Sequence, residues 1–302
     1  MRIQLFTGKG GVGKTTLVAA TALAAAEAGE RPLVVELGHR ASLQTLFGRP
    51  IGDAPVDVGR GVHACSIDMD EALLDYVADH VRVRALARRI TGQPTLKRFF
   101  RAAPAVAEVV TLRRIERLEA ERLGAEPRWD PLLVDLDATG HALMFLALPE
   151  VFDELAKEGP LRKLLDRLTA LLTDPARTRL HVVTLPAPLP TQETIELYEA
   201  LRARPGHAAV PLGGLLVNRM PAPPLGDVAP ESLDALGPEW AADVALARRA
   251  LGRFDEARAC VARLAEAVPV PQVVLEDAPT LRLEPDLDAV LALGRTLREA
   301  LP

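Results

Sequence analysis

The chain holds 302 residues, 49% hydrophobic and 25% charged, with a net charge of −5 and a pI near 5.8. That is enough apolar material for one large α/β domain, and the acidic balance gives no global basic signal for nucleic acid. The two cysteines, Cys65 and Cys260, lie far apart; they exclude a disulfide framework and a Cys-rich metal site within one chain, and suit a reducing, cytoplasmic compartment.

From Met1 to Thr7 the chain runs straight into a glycine loop, and no secretory leader is expected. The most apolar stretch, 17–28, falls short of the ~20 residues needed to cross a bilayer and predicts a buried, Ala-rich helix. Apolar runs at 2–7, 33–37, 62–67, 132–136, 180–185, 214–218 and 272–275 predict strands. Several are continuous Leu/Val runs without alternation, as parallel strands buried on both faces require. Helical stretches lie between them, so the expected fold class is α/β, a doubly wound and mostly parallel sheet. Two gaps are too long for single crossover helices. Residues 68–128 have room for about three helices, with breaks near Gly92-Gln93-Pro94 and Ala103-Pro104; residues 142–178 have room for two or three, broken at Gly159-Pro160. The expected organisation is one domain over 1–302 with 68–128 and 142–178 as helical insertions forming a subdomain. A Pro-rich stretch, 221–230, reads as a loop, and 286–301 as a core helix packed on the sheet.

Gly8-Lys9-Gly10-Gly11-Val12-Gly13-Lys14-Thr15-Thr16 fits the phosphate-loop pattern G-x-x-x-x-G-K-S/T, between a strand and a helix. Its glycines let backbone N–H groups curl around phosphate oxygens, and the helix start adds its positive dipole end. Lys14 is expected on the β- and γ-phosphates and the Thr15 hydroxyl on Mg²⁺. Further on, Leu132-Leu133-Val134-Asp135 is an apolar strand ending in an acid, where a second Mg²⁺-holding group belongs. The cofactors implied are ATP and Mg²⁺.

Lys9, a second lysine early in the loop, is the mark of the deviant Walker A group, which includes the MinD/ParA and nitrogenase iron-protein ATPases. The stretch Asp135-Leu136-Asp137-Ala138-Thr139-Gly140-His141 resembles the D-T-A-P-T-G-H segment of the ATPases that drive arsenite pumps and deliver tail-anchored membrane proteins, the ArsA family. Asp135, Thr139, Gly140 and His141 match it. Val182-Val183-Thr184-Leu185-Pro186 with Glu193-Thr194, and Leu216-Val217-Asn218-Arg219, resemble two further segments of that family. The resemblance implies an ATP-sandwich homodimer, with Lys9 reaching the partner's nucleotide, Gly140 sensing the γ-phosphate and Asn218 reading adenine. Read by itself, Lys9 is also compatible with a solvated loop lysine, Asn218 with a turn former, and His141 with a cap at a helix start.

One departure stands out. The family's S-T-D-P-A-H-S-L stretch, whose Asp positions the attacking water, corresponds here to Glu36-Leu37-Gly38-His39-Arg40-Ala41-Ser42-Leu43, and the Asp falls on Gly38. Glu36 or Asp137 is left to orient water, or Glu36 to serve the metal's outer shell, and slow hydrolysis is expected. The zinc-bridging Cys-x-x-Cys and the arsenite-binding thiol cluster found in parts of the family have no counterpart. Between 82 and 122 there are eleven Lys/Arg and four acids, a basic patch suited to an acidic partner, a membrane surface or nucleic acid, or to a solvated helix face. No methionine lies between Asp70 and His141, which weighs against a Met-lined groove for a transmembrane segment. The function expected is an ATP-driven dimeric switch acting on a protein client or membrane partner. A heterodimer with a catalytic relative, a MinD/ParA-like positioning ATPase and a nucleotide-held scaffold are the alternatives.

Overall fold

Strand β1 (Ile3–Thr7) sits inside an eight-stranded sheet, hydrogen-bonded on one side to β7 (Leu132–Asp135) and on the other to β8 (Thr178–Thr184). The computed structural model describes residues 2–38, 41–81, 106–136, 157–202, 210–226, 228–278 and 286–300. The remaining strands are β2 (Leu33–Leu37), β3 (Val56–Gly59), β4 (Val62–Ile67), β9 (Leu212–Met220) and β10 (Gln272–Glu276). Their order is β10-β9-β8-β1-β7-β2-β4-β3, parallel throughout except for the antiparallel edge strand β3. All seven predicted strands lie in this sheet. Edge strand β3 escaped the sequence reading because four residues containing Asp57 and Gly59 carry little apolar pattern. So did the short pair β5 (Arg122–Leu123) and β6 (Glu126–Pro127).

Alternate residues of each strand feed opposite faces, as the pleat dictates. Ile3, Leu5, Leu33, Val35, Leu132 and Val134 point to one side, which is covered by α3 (Met69–Val81), α4 (Val106–Ala120) and α5 (Pro160–Thr173). Phe6, Val34, Leu133, Val183 and Leu216 point to the other, covered by α1 (Lys14–Glu27) and by α8 (Leu287–Ala300). Under β8 and β9, Val182, Leu215 and Val217 pack against α6 (Pro188–Arg202) and α7 (Ala241–Ala267). A six-residue helix, α2 (Ser42–Phe47), follows β2. Of the two long insertions, α3, α4 and the β5–β6 pair occupy the described part of the first and α5 that of the second. The breaks near Gly92 and Ala103, and residues 142–156, lie outside the described residues.

Helix α1 explains why its sequence is Ala-rich. It is wedged between the sheet and α8, so Ala19, Ala20, Ala22, Ala24 and Ala25 are all buried and no polar face is needed. Helix α8, expected on the sheet, packs chiefly on α1 and also reaches Val273 and Leu275 of β10. The two helices touch at Gly294, where an added Cβ would fall 2.0 Å from the Ala20 carbonyl oxygen and 3.1 Å from the Ala24 Cβ. Because the obstacle is backbone, relief requires the helices to separate. Gly294→Ala is therefore expected to destabilise the fold by about 1–3 kcal/mol, read as a lower denaturant midpoint. An unchanged midpoint would mean that the α1–α8 contact is looser than described.

Candidate functional site: a phosphate loop at the carboxyl ends of the central strands

The parallel strands deliver their carboxyl ends to one edge of the sheet. There β1 opens into the glycine loop, β7 presents Asp135, β2 presents Glu36 and β9 presents Asn218. Gly8, Gly11 and Gly13 have φ of 151°, 84° and 95°, a region that L side chains avoid. Two of the three are also fixed by space. A Cβ on Gly8 would lie 2.1 Å from the Val183 carbonyl oxygen, and one on Gly13 2.4 Å from Asn218 Nδ2. Nothing lies within 4 Å of a Cβ built at Gly10. Val12 turns inward as the loop's apolar anchor and is buried. Gly13 caps α1, whose first N–H groups have no intrahelical partner and face the loop's concavity.

Lys14 folds back over the loop. Its ammonium donates to the carbonyls of Gly8 (3.0 Å) and Lys9 (3.2 Å), and the side chain is nearly buried. The Thr15 hydroxyl donates to Asp135 Oδ2 at 2.5 Å, and Asp135 is buried. Two hard oxygen donors meeting at the foot of an anion cradle suit a small divalent cation, which would enter between them. Among the described residues no group of three or more His, Cys, Asp or Glu could hold a metal. Phosphate oxygens and water would therefore complete the shell, as Mg²⁺ prefers. The adjoining cleft, of about 310 Å³, is lined by Gly11, Gly13, Thr16, Thr45, Leu46 and Arg219, among others.

The remaining candidates are placed less simply. Lys9, half-exposed, pairs with Glu193 of α6, a partner that sequence spacing gave no means of finding. Glu36 is buried, and its Oε1 accepts the N–H groups of Ser42 (2.9 Å) and Leu43 (3.3 Å), anchoring the start of α2. Burial, with a smaller push from the Asp135 charge, raises its carboxyl above the usual range, against the lowering effect of those two N–H groups. Gly38 has a φ of 96°. Asn218 is buried; its Nδ2 donates to the Val12 carbonyl (2.8 Å) and its Oδ1 accepts the Arg219 N–H (3.0 Å). The amide thus braces the loop, keeping one N–H and one lone pair for any adenine edge. Asp137, Thr139, Gly140 and His141 lie outside the described residues. Ser42, at the end of the 36–43 stretch aligned with the family, lines the cleft too, as do Thr45 and Leu46, which lie beyond that stretch and which no motif marks.

Both cysteines are buried and unpaired, and burial pushes the Cys65 thiol up to about 12, so it is inert as a ligand or nucleophile near neutral pH. No helix among the described residues is long and apolar enough to cross a membrane.

Comparison with known proteins agrees with this geometry. Residues 1–167 match the profile of the anion-transporting ATPases. ATPase BagA of Mycobacterium tuberculosis is 32% identical over 229 residues, which is 72% of this chain and 65% of that protein. A protein of Halobacterium salinarum, provisionally named an arsenical pump-driving ATPase, is 32% identical over 213 residues, 64% of this chain and 32% of its own length. One of Aquifex aeolicus with a similar provisional name is 28% identical over 211 residues, 68% of this chain and 50% of its own. The chain thus spans less than two thirds of each of these relatives. With the matched profile covering the loop, the Asp135 strand and over half the chain, this protein belongs to the anion-transporting, ArsA-type ATPase family.

Proposed function

We propose that this chain binds ATP with Mg²⁺ at the Gly8–Thr16 loop, hydrolyses it slowly, and uses the nucleotide to hold two copies together. The observation that carries the reading is the meeting of the Thr15 hydroxyl with the Asp135 carboxylate beneath a cradle that only glycine can build at Gly8 and Gly13. Lys14 leaves the Gly8 and Lys9 carbonyls to meet the β- and γ-phosphates, exchanging two neutral acceptors for anionic ones. The metal supplies charge neutralisation of the phosphates. Loop N–H groups and the α1 terminus hold the remaining oxygens.

Lys9 belongs to the second half of the proposal. At the loop's rim, half-exposed and tied to Glu193, it is free to exchange that exposed ion pair for a partner's nucleotide. An exposed pair is worth only about 0–1 kcal/mol, so the exchange meets little resistance. Slow turnover follows from two observations. Gly38 carries no carboxylate, and the Glu36 Oε1 is committed to the start of α2. The insertions at 68–128 and 142–178 form the subdomain through which nucleotide state is passed to a protein client or a membrane-associated partner in the cytoplasm.

The test is Mg-ATP turnover by the purified protein, recorded with its mass in the presence and absence of ATP, using Lys14→Ala as the blank. Slow turnover above the blank with ATP-dependent dimers is the expected result. Dimers without turnover favour a nucleotide-held scaffold or a subunit completed by a catalytic relative, the reading that Gly38 supports. Binding of ATP equal to that of the blank removes the proposal.

A further inference from the structure

Arg219 stands beside Asn218 in the resembling segment, yet no motif gives it a role. Its backbone is the first clue. Among the described residues only Arg60 and Arg219 have positive φ without being glycine. Arg60 occupies the tight turn between β3 and β4, where such angles are ordinary. Arg219, with φ of 60°, lies within β9 itself. There Val217 pairs with Val274 and Met220 with Glu276, so β9 carries one more residue than β10 across the same interval. That is a bulge, and bulges re-aim a side chain. The Arg219 N–H is taken out of the ladder and given to Asn218 Oδ1, which stabilises the left-handed conformation.

The second clue is where the bulge aims. Arg219 lines the cleft of about 310 Å³ next to the glycine loop. The Lys14 ammonium, between the Gly8 and Lys9 carbonyls, marks the terminal-phosphate end of that loop. Asn218 grips the other end at Val12 and Gly13, so Arg219 stands at the end where a nucleotide's sugar and base emerge. Its guanidinium makes no hydrogen bond or ion pair with any described residue. A planar cation at that place has the shape and charge to cover the face of a purine.

Resting on the reading of the cleft as an ATP site, we propose that Arg219 is the residue that contacts the nucleoside of the bound nucleotide, stacking on the base, and that Asn218 is the positioning residue that sets it there. Asn218 thereby serves two ends of the ligand at once, bracing the phosphate loop through Nδ2 and the base contact through Oδ1.

The experiment compares dissociation constants for ATP and for inorganic tripolyphosphate, which lacks the nucleoside, in the wild type and in Arg219→Ala, Arg219→Lys and Arg219→Gly. Glycine accepts the positive φ and guards against a folding artefact. Both Ala and Gly variants are expected to lose roughly tenfold in ATP affinity with tripolyphosphate binding unchanged, and Lys to recover little, since it keeps the charge without the plane. Equal losses for the two ligands would assign Arg219 to the phosphates and overturn the proposal, as would no loss for either. If the wild type binds neither ligand, or Lys14→Ala binds both as well as the wild type, the ATP-site reading fails as a whole, a pattern distinct from the other two.

Discussion

Replacing Gly13 by alanine is expected to remove most ATP binding while leaving a folded protein. Residue 13 has a φ of 95°, and its missing Cβ is the space into which Asn218 Nδ2 reaches, 2.4 Å from where that carbon would lie. Left-handed geometry costs an L residue about 1–2 kcal/mol. Displacing Asn218 breaks its bond to the Val12 carbonyl and its bond from the Arg219 N–H, at about 1–3 kcal/mol for buried groups left unpaired. Without ligand the loop relaxes away from this conformation, so restoring it falls on binding. A penalty of about 2–5 kcal/mol corresponds to roughly 30- to 5000-fold in affinity. Isothermal titration with ATP reads the loss, and Gly252→Ala, where an added Cβ meets nothing within 4 Å, is the control. Affinity within a factor of two of the wild type would mean that the cradle is not where ATP binds.

Asp135→Asn is expected to lower Mg-ATP turnover by roughly a hundredfold or more, the scale of several kcal/mol of lost charge stabilisation. The shape is preserved, since the Thr15 hydroxyl can donate to the amide oxygen as it does to Oδ2. What disappears is the negative charge that would hold the cation. Binding of ATP without metal is expected to persist or improve, because one anion near the phosphates has gone. The fold is expected to tolerate the change, because the Asp135 charge adds to the strain of burying Glu36 and its removal eases that carboxyl back toward its ordinary range. Unchanged turnover would require the metal's protein ligand to come from another residue.

The parts of the site carried by consecutive residues were legible in the sequence. Gly8 to Thr16 announces itself through local backbone demands, and the strand ending at Asp135 through its unbroken apolar run. Parts that depend on register were not. Asn218 braces the loop because β9 lies two strands from β1, with β8 between them, an arrangement that no spacing in the chain reveals. Its family-implied contact with adenine is a separate matter from the hydrogen bonds it makes to Val12 and Arg219. Glu36, near the end of its strand, suggests a group for water or metal; its engagement with the N–H groups of Ser42 and Leu43 is a feature of the fold that its place in the sequence does not show. The pairing of Lys9 with Glu193 spans 184 residues and is a product of the tertiary fold alone.

The close seat of Gly294 on Ala20 has a practical side. Helix α1 begins at the phosphate loop and is held by the chain's final described helix at its middle, where Gly294 meets Ala20, and at its far end, where Arg295 pairs with Glu27, so the two form one stiff lever with the phosphate loop at its tip. Any change that disturbs Leu287–Ala300 is expected to alter nucleotide affinity, far from the place of surgery. A weak nucleotide signal from a sample altered within Leu287–Ala300 is evidence about that helix before it is evidence about the loop.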